Sequence, residues 1–147
     1  MTAPRRKPDV VQGVPAPPAP SSSLQVSEPA SPEAIARLRH AARTFAASHG
    51  AEDRLLDDIG LAVSEAATNA VKYAYEPTGQ GRVHLTGSAG EGWLELVVVD
   101  RGRGFREGDS GGLGLGLSII AELTTELTVE QAATGTTVSM RFALVER

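Results

Sequence analysis

Glu65, Asn69 and Lys72 stand at i, i+4 and i+7 in a segment of helical periodicity, so a carboxylate, an amide and an ammonium share one helix face. Glu65 fits a general base, or a holder of water on a metal. Asn69 offers a carbonyl oxygen, the hard ligand that Mg²⁺ takes alongside phosphates and retained waters. Lys72 can meet a phosphate as a point charge. The triplet alone does not demand chemistry, because the charged face of an amphipathic helix is more often simply solvated.

A second feature follows an apolar run. Val97-Val98-Val99 ends in Asp100, then Arg101-Gly102-Arg103-Gly104-Phe105. An acid leaving a strand sits at a pocket rim and accepts a hydrogen bond, for which the exocyclic amine of adenine is a suitable donor. Gly102 and Gly104 let the backbone lie flat against a ring or sugar. An ordinary Asp-Gly turn explains the same residues. A third feature is Gly111-Gly112-Leu113-Gly114-Leu115-Gly116-Leu117, leading into a helix. Glycines ahead of a helix expose backbone N–H groups at its positive end, where phosphates bind. The P-loop is excluded, since no Gly-Lys-Ser/Thr follows. The dinucleotide fingerprint is excluded too, because Asp100 precedes the glycines and Glu107 stands where its third glycine would fall. His-Arg-Asp and Asp-Phe-Gly kinase signatures are absent.

The elements that position these residues follow from periodicity and punctuation. Ser31-Pro32-Glu33 predicts a capped helix start, running to about Ser48 with Gly50 as its stop. Its apolar face is Ile35, Leu38, Ala42, Phe45 and Ala46. A second helix is expected from Glu52 or Asp53 to about Ala74, with its stripe at Leu55, Ile59, Ala62, Val63, Ala66, Ala70 and Val71. Strands are expected at Arg82–Thr86, Trp93–Asp100, Glu126–Glu130 and Thr136–Leu144, and a short helix at Leu113–Leu123. Clean alternation means one buried and one wet sheet face, typical of antiparallel pairing. The order predicts an α/β fold, a two-layer sandwich with helices covering one face of a mostly antiparallel sheet.

Composition bounds the rest. The chain has 147 residues, a formal charge of −4 and no cysteine, which removes disulfides, a thiol nucleophile and thiolate zinc sites. Mild acidity argues against a nucleic-acid partner. No apolar run approaches the ~20 residues of a membrane span, and Val10–Pro20 is no export signal, so the expected location is the cytoplasm. Eight of nine prolines lie in residues 1–32, so residues 1–30 are expected to be a disordered Pro/Ala/Ser-rich tail and 31–147 the folded domain. Eleven Lys and Arg against sixteen Asp and Glu in 31–147 place the acidity in that domain. His40, His49 and His84 lack metal-ligand spacing.

Each signal is weak alone, but their order is specific. Glu65-x-x-x-Asn69, Asp100-x-Gly102-x-Gly104, Gly112-x-Gly114-x-Gly116 and Gly135-Thr136-Thr137 resemble the N box, G1 box, G2 box and final Gly-Thr of the GHKL superfamily of gyrase, Hsp90-type chaperones, histidine kinases and MutL. Glutamate rather than asparagine at position 65, the absence of an upstream phospho-accepting histidine, and Glu-Ala-Ala-Thr-Asn-Ala-Val-Lys-Tyr-Ala-Tyr in a small lone domain are similar to the anti-sigma factor serine/threonine kinases. The resemblance implies a Bergerat ATP-binding fold with ATP and Mg²⁺. It implies Glu65 as the general base, Asn69 as the Mg²⁺ ligand, and Asp100 as acceptor from the adenine amine. Gly102 and Gly104 would pass by the adenosine, Gly112, Gly114 and Gly116 would wrap the phosphates, and Thr136 would reach the adenine side. The implied substrate is a serine of an anti-anti-sigma (STAS-type) protein, the implied second partner a sigma factor, and the implied assembly a homodimer. The lid between Phe105 and Gly111 holds only five residues, shorter than is usual in that family. A non-catalytic ATP-dependent binding module and a detached histidine-kinase-like domain are the alternatives.

Overall fold

The computed structural model describes residues 23–74, 81–102 and 110–144. In chain order the elements are β1 (Ser23–Pro29), α1 (Pro32–Ser48), α2 (Asp53–Asn69), a π turn (Ala70–Ala74), β2 (Arg82–Gly90), β3 (Trp93–Asp100), α3 (Ser110–Leu123), β4 (Glu126–Ala132) and β5 (Gly135–Ala143). The strands form one sheet in the order β1-β2-β3-β5-β4, with every neighbouring pair antiparallel. This is the α/β, two-layer arrangement that the alternation predicts.

Period-two patterning decides which face is covered. Val83 and Leu85 of β2, Leu94, Leu96 and Val98 of β3, and Val138, Met140 and Phe142 of β5 are buried. Leu38, Phe45, Ile59, Val63 and Ile120 pack against them from the helices. Burying each such side chain fully contributes about 1.5–3 kcal/mol, so this shared layer is what joins helices to sheet. The helices are also tied to one another. Arg39 Nη1 donates to Ser64 Oγ at 3.0 Å, and Arg43 Nη1 to the Leu56 carbonyl at 3.3 Å.

Five strands are present where four are expected, and the fifth corrects the tail. Residues 23–29, assigned to the disordered segment, form edge strand β1 along β2. Only Leu24 and Val26 are large and apolar there, but both pack against the core. The strand gains its ladder from β2, which composition does not reveal. Pro29 sits at the strand's last position, where a missing N–H is tolerated on an edge. Arg37 Nε donates to Glu28 Oε1 at 2.8 Å, joining α1 to this edge. Residues 1–22 lie outside the described residues.

Helix ends depart from expectation in three places. Ser31 has the extended conformation of a cap, yet its side chain makes no capping bond; its carbonyl accepts from Ala34 N at 3.0 Å instead. At the other end of α1, Ala51 N donates to Ala46 O and Gly50 N to Ala47 O, a Schellman closure with Gly50 as the stop. The second helix does not continue as α to Ala74, because Ala70–Ala74 widen into a π turn, a feature that often marks functional segments. The third helix starts at Ser110, so the glycines of 111–116 lie inside it rather than ahead of it.

Candidate active site

Glu65 and Asn69 lie one turn apart near the end of α2, both half-buried. The stripe formed by Ala62, Ala66, Ala67 and Ala70 is fully packed, and α2 lies directly against α3. This contact brings Glu65 and Asn69 to Gly116. A Cβ placed on Gly116 would stand 3.2 Å from Asn69 Nδ2, 3.3 Å from Glu65 Oε1 and 3.4 Å from Asn69 Oδ1. A carboxylate, a carboxamide and bare helix backbone therefore converge at one point, across two helices distant in sequence. Asn69 Nδ2 is buried there without a hydrogen-bond partner. Leaving such an atom unpaired costs about 1–3 kcal/mol, the kind of local conflict that functional sites carry.

Asp100 ends β3 and is 7% exposed, the only charged residue found buried among the described residues. Gly102 N donates to its Oδ1 at 3.0 Å, and the backbone N–H of Thr136 donates to the same carboxylate. Burial pushes the Asp100 carboxyl above its ordinary value; the two backbone donors pull the other way without cancelling it. Asp100 and Thr136 are register partners across β3 and β5. The π turn that follows Asn69 packs on β3, the strand that carries Asp100.

The other expected residues fall less neatly. Lys72 is exposed within the π turn, and that turn breaks the α-helical count that groups it with Glu65 and Asn69. Gly112 and Gly114 belong to the first turns of α3. The leading N–H groups of that helix still lack acceptors within it, as at any helix start. Arg103, Gly104, Phe105 and the lid residues 106–109 lie outside the described residues, while the last lid residue, Ser110, opens α3. Two contributions escape sequence reasoning. Gly135 shields the Asp100 backbone, for which the Gly-Thr pair is the only hint, and Gly116 abuts Glu65 and Asn69, for which spacing offers no signal.

The residues fit Mg²⁺ held beside a nucleotide. Asn69 supplies a single hard oxygen, and no group of three His, Asp or Glu that would cage an ion by itself occurs among the described residues. Mg²⁺ is usually held by one or two protein oxygens with phosphates completing its shell. A groove of about 250 Å³ lined by Leu55, Asp58 and Leu144 lies at the far end of the sheet and contributes no residue to this site. No helix among the described residues is long and apolar enough to cross a membrane.

Comparison with known proteins identifies relatives of the chain as a whole. Residues 28–142 match the family described as "Histidine kinase-like ATPase domain". The chain is 33% identical over 133 residues to "Serine-protein kinase RsbW" of Bacillus licheniformis, covering 80% of this chain and 82% of the relative. It is 32% identical over 133 residues to the protein of the same name from Bacillus subtilis (strain 168), with the same coverages. Among solved structures, the RsbU and RsbW domains of Rv1364c from Mycobacterium tuberculosis superpose with a TM-score of 0.67 at 27% identity. That match covers 82% of this chain, which spans about a third (32%) of the mycobacterial one. The SiaB-SiaC complex from Pseudomonas aeruginosa matches in fold, with a TM-score of 0.55 at 17% identity over 82% of this chain and 89% of that one.

Proposed function

Because this chain belongs to the histidine kinase-like ATPase domain family, with the RsbW serine-protein kinases among its relatives, we propose that it is an ATP-dependent serine/threonine protein kinase that acts as an anti-sigma factor. Its substrate is a serine of an anti-anti-sigma, STAS-type protein, and its second partner a sigma factor. It works as a homodimer in the cytoplasm.

The observation that carries the reading is the convergence of Glu65 and Asn69 on Gly116. Asp100 receives the adenine amine, with its carboxylate held by Gly102 and Thr136 backbone donors. Gly102 and Gly104 run past the adenosine. Gly112, Gly114 and Gly116 lay backbone beside the phosphates, and Lys72 adds charge at the rim. Asn69 gives the metal its protein oxygen. Mg²⁺, when bound, neutralises the charge of the transferring phosphoryl group. Glu65 accepts the proton of the acceptor serine as its oxygen bonds to the γ-phosphorus and the bond to the β-phosphate oxygen breaks, releasing ADP. Positioning and charge neutralisation are the main demands of such a transfer, and these residues supply the positioning.

Incubation with Mg-ATP and candidate STAS-type proteins tests this reading. The expected product is an acid-stable phosphoserine on the partner. An acid-labile phosphohistidine would reassign the chain to histidine kinase chemistry. Nucleotide-dependent partner binding with no transfer would reduce it to a non-catalytic switch.

A further inference from the structure

We propose that Gly116 is a positioning residue for the N-box pair: the bare backbone at this point sets where the Glu65 carboxylate and the Asn69 amide stand. The inference rests on the proposed kinase reading and adds a role for this glycine separate from lining the phosphates.

Three observations converge. Gly116 is buried in the interior of α3, where alanine would be the better helix former. The space its missing Cβ would take is bounded by Asn69 Nδ2 at 3.2 Å, Glu65 Oε1 at 3.3 Å and Asn69 Oδ1 at 3.4 Å. All three limiting atoms are the polar ends of the two residues that carry the chemistry, and none is an apolar core atom. Asn69 Nδ2, the nearest, is buried with no partner, so no hydrogen bond at the nitrogen holds that end of the amide against displacement. A methyl group at 116 therefore presses first on these polar ends, which must give by a few tenths of an ångström. Chemistry responds steeply to such shifts, with about 10²-fold lost for a 1 Å misplacement.

The test uses the full chain and three variants: Gly116→Ala, Asn69→Ala and the pair. Three readouts are taken: the Mg²⁺ concentration for half-maximal binding of a fluorescent ATP analogue, kcat for serine phosphorylation, and the thermal midpoint. Gly116→Ala should raise the Mg²⁺ requirement and lower kcat, each by about fourfold, without lowering the midpoint. In the Asn69→Ala background two of the three limiting contacts are gone and only Glu65 Oε1 at 3.3 Å remains, so the added methyl should change the Mg²⁺ requirement by clearly less than in the unsubstituted chain, the signature of residues acting as one unit. An unchanged Mg²⁺ titration in Gly116→Ala overturns the proposal. So does an equal effect in both backgrounds, since the glycine would then act on the phosphates alone. If Gly116→Ala unfolds more readily, the pair should recover the midpoint; a pair that stays destabilised also overturns it. Absence of serine transfer by the unsubstituted chain, with Mg²⁺-dependent binding intact, would refute the kinase reading and leave this relationship measurable by binding alone.

Discussion

Gly135 lies directly over the backbone of Asp100. Its φ is +149°, and a Cβ on it would overlap the Asp100 carbonyl and come within 2.8 Å of Arg101 Cα. The next residue, Thr136, gives its N–H to the Asp100 carboxylate, and Gly102 N–H closes from the other side. Two main-chain donors thus clamp the acid, with its direction set before any ligand arrives. Such preorganisation suits an acceptor for a ring amine.

Gly135→Ala should therefore cost more than an ordinary glycine replacement. Gly92 is the internal control: its φ is also positive, at +79°, but open space surrounds its missing Cβ. Gly92→Ala should lose about 1–2 kcal/mol from the left-handed backbone alone. Gly135→Ala adds a backbone clash and should lose more, about 3 kcal/mol, together with nucleotide binding. Urea unfolding of the two variants side by side checks the order; equal losses would mean the Asp100 contact is slack.

Asp100→Asn separates stability from binding. Burial raises the Asp100 pKa, so the folded protein holds this proton more tightly than the unfolded chain does. The group favours folding while protonated, and that advantage is lost as pH rises through the raised pKa. At neutral pH the ionised carboxylate opposes folding, and asparagine, which still accepts from Gly102 and Thr136, relieves this. The variant's thermal midpoint should match or exceed that of the unsubstituted chain at pH 7. The gap should close as pH falls from the raised Asp100 pKa toward the ordinary carboxylate range. Adenine nucleotide binding should be lost throughout. A gap that widens toward acid pH would contradict the burial effect.

Much of this was legible in the residues because it is local. Alternation in Trp93–Asp100 and Thr136–Leu144 marks strands whose inward side chains, such as Leu96 and Met140, are indeed buried. The spacing of Glu65 and Asn69 is one helical turn and survives folding intact. What escaped is non-local or cooperative. β1 is a strand only because β2 offers it a ladder. The π turn at Ala70–Ala74 leaves no compositional mark, so α-helical spacing alone does not fix where Lys72 stands relative to Glu65 and Asn69. Leucines between the glycines of 111–117 favour a helix that begins at Ser110, and this competes with reading those glycines as a loop.

The reassignment of residues 23–29 can be checked by paired substitutions. Leu24 and Val26 face the core, while Gln25 between them is exposed. Leu24→Ala and Val26→Ala should each cost about 1–2 kcal/mol, less than full burial because both sit on an edge. Gln25→Ala should stay within about 0.5 kcal/mol. Equal, small effects at all three positions would return the segment to the tail.

Asn69→Ala offers a further separation. The amide carries a buried nitrogen without a partner, and alanine removes it while favouring the helix. The thermal midpoint should not fall, whereas Mg²⁺-dependent nucleotide binding should. A clear loss of stability would show the amide to be a structural tie rather than a group held ready for a ligand.

Replacing Glu65 with alanine and following phosphate transfer from Mg-ATP to the acceptor serine, beside nucleotide affinity in the same preparation, bears on the chemistry itself. A general base contributes about 10²–10⁴-fold, so transfer should fall by at least about 10²-fold while affinity stays within a few-fold. Transfer at the unsubstituted rate would show that Glu65 is not the base, and that its meeting with Asn69 and Gly116 is packing alone.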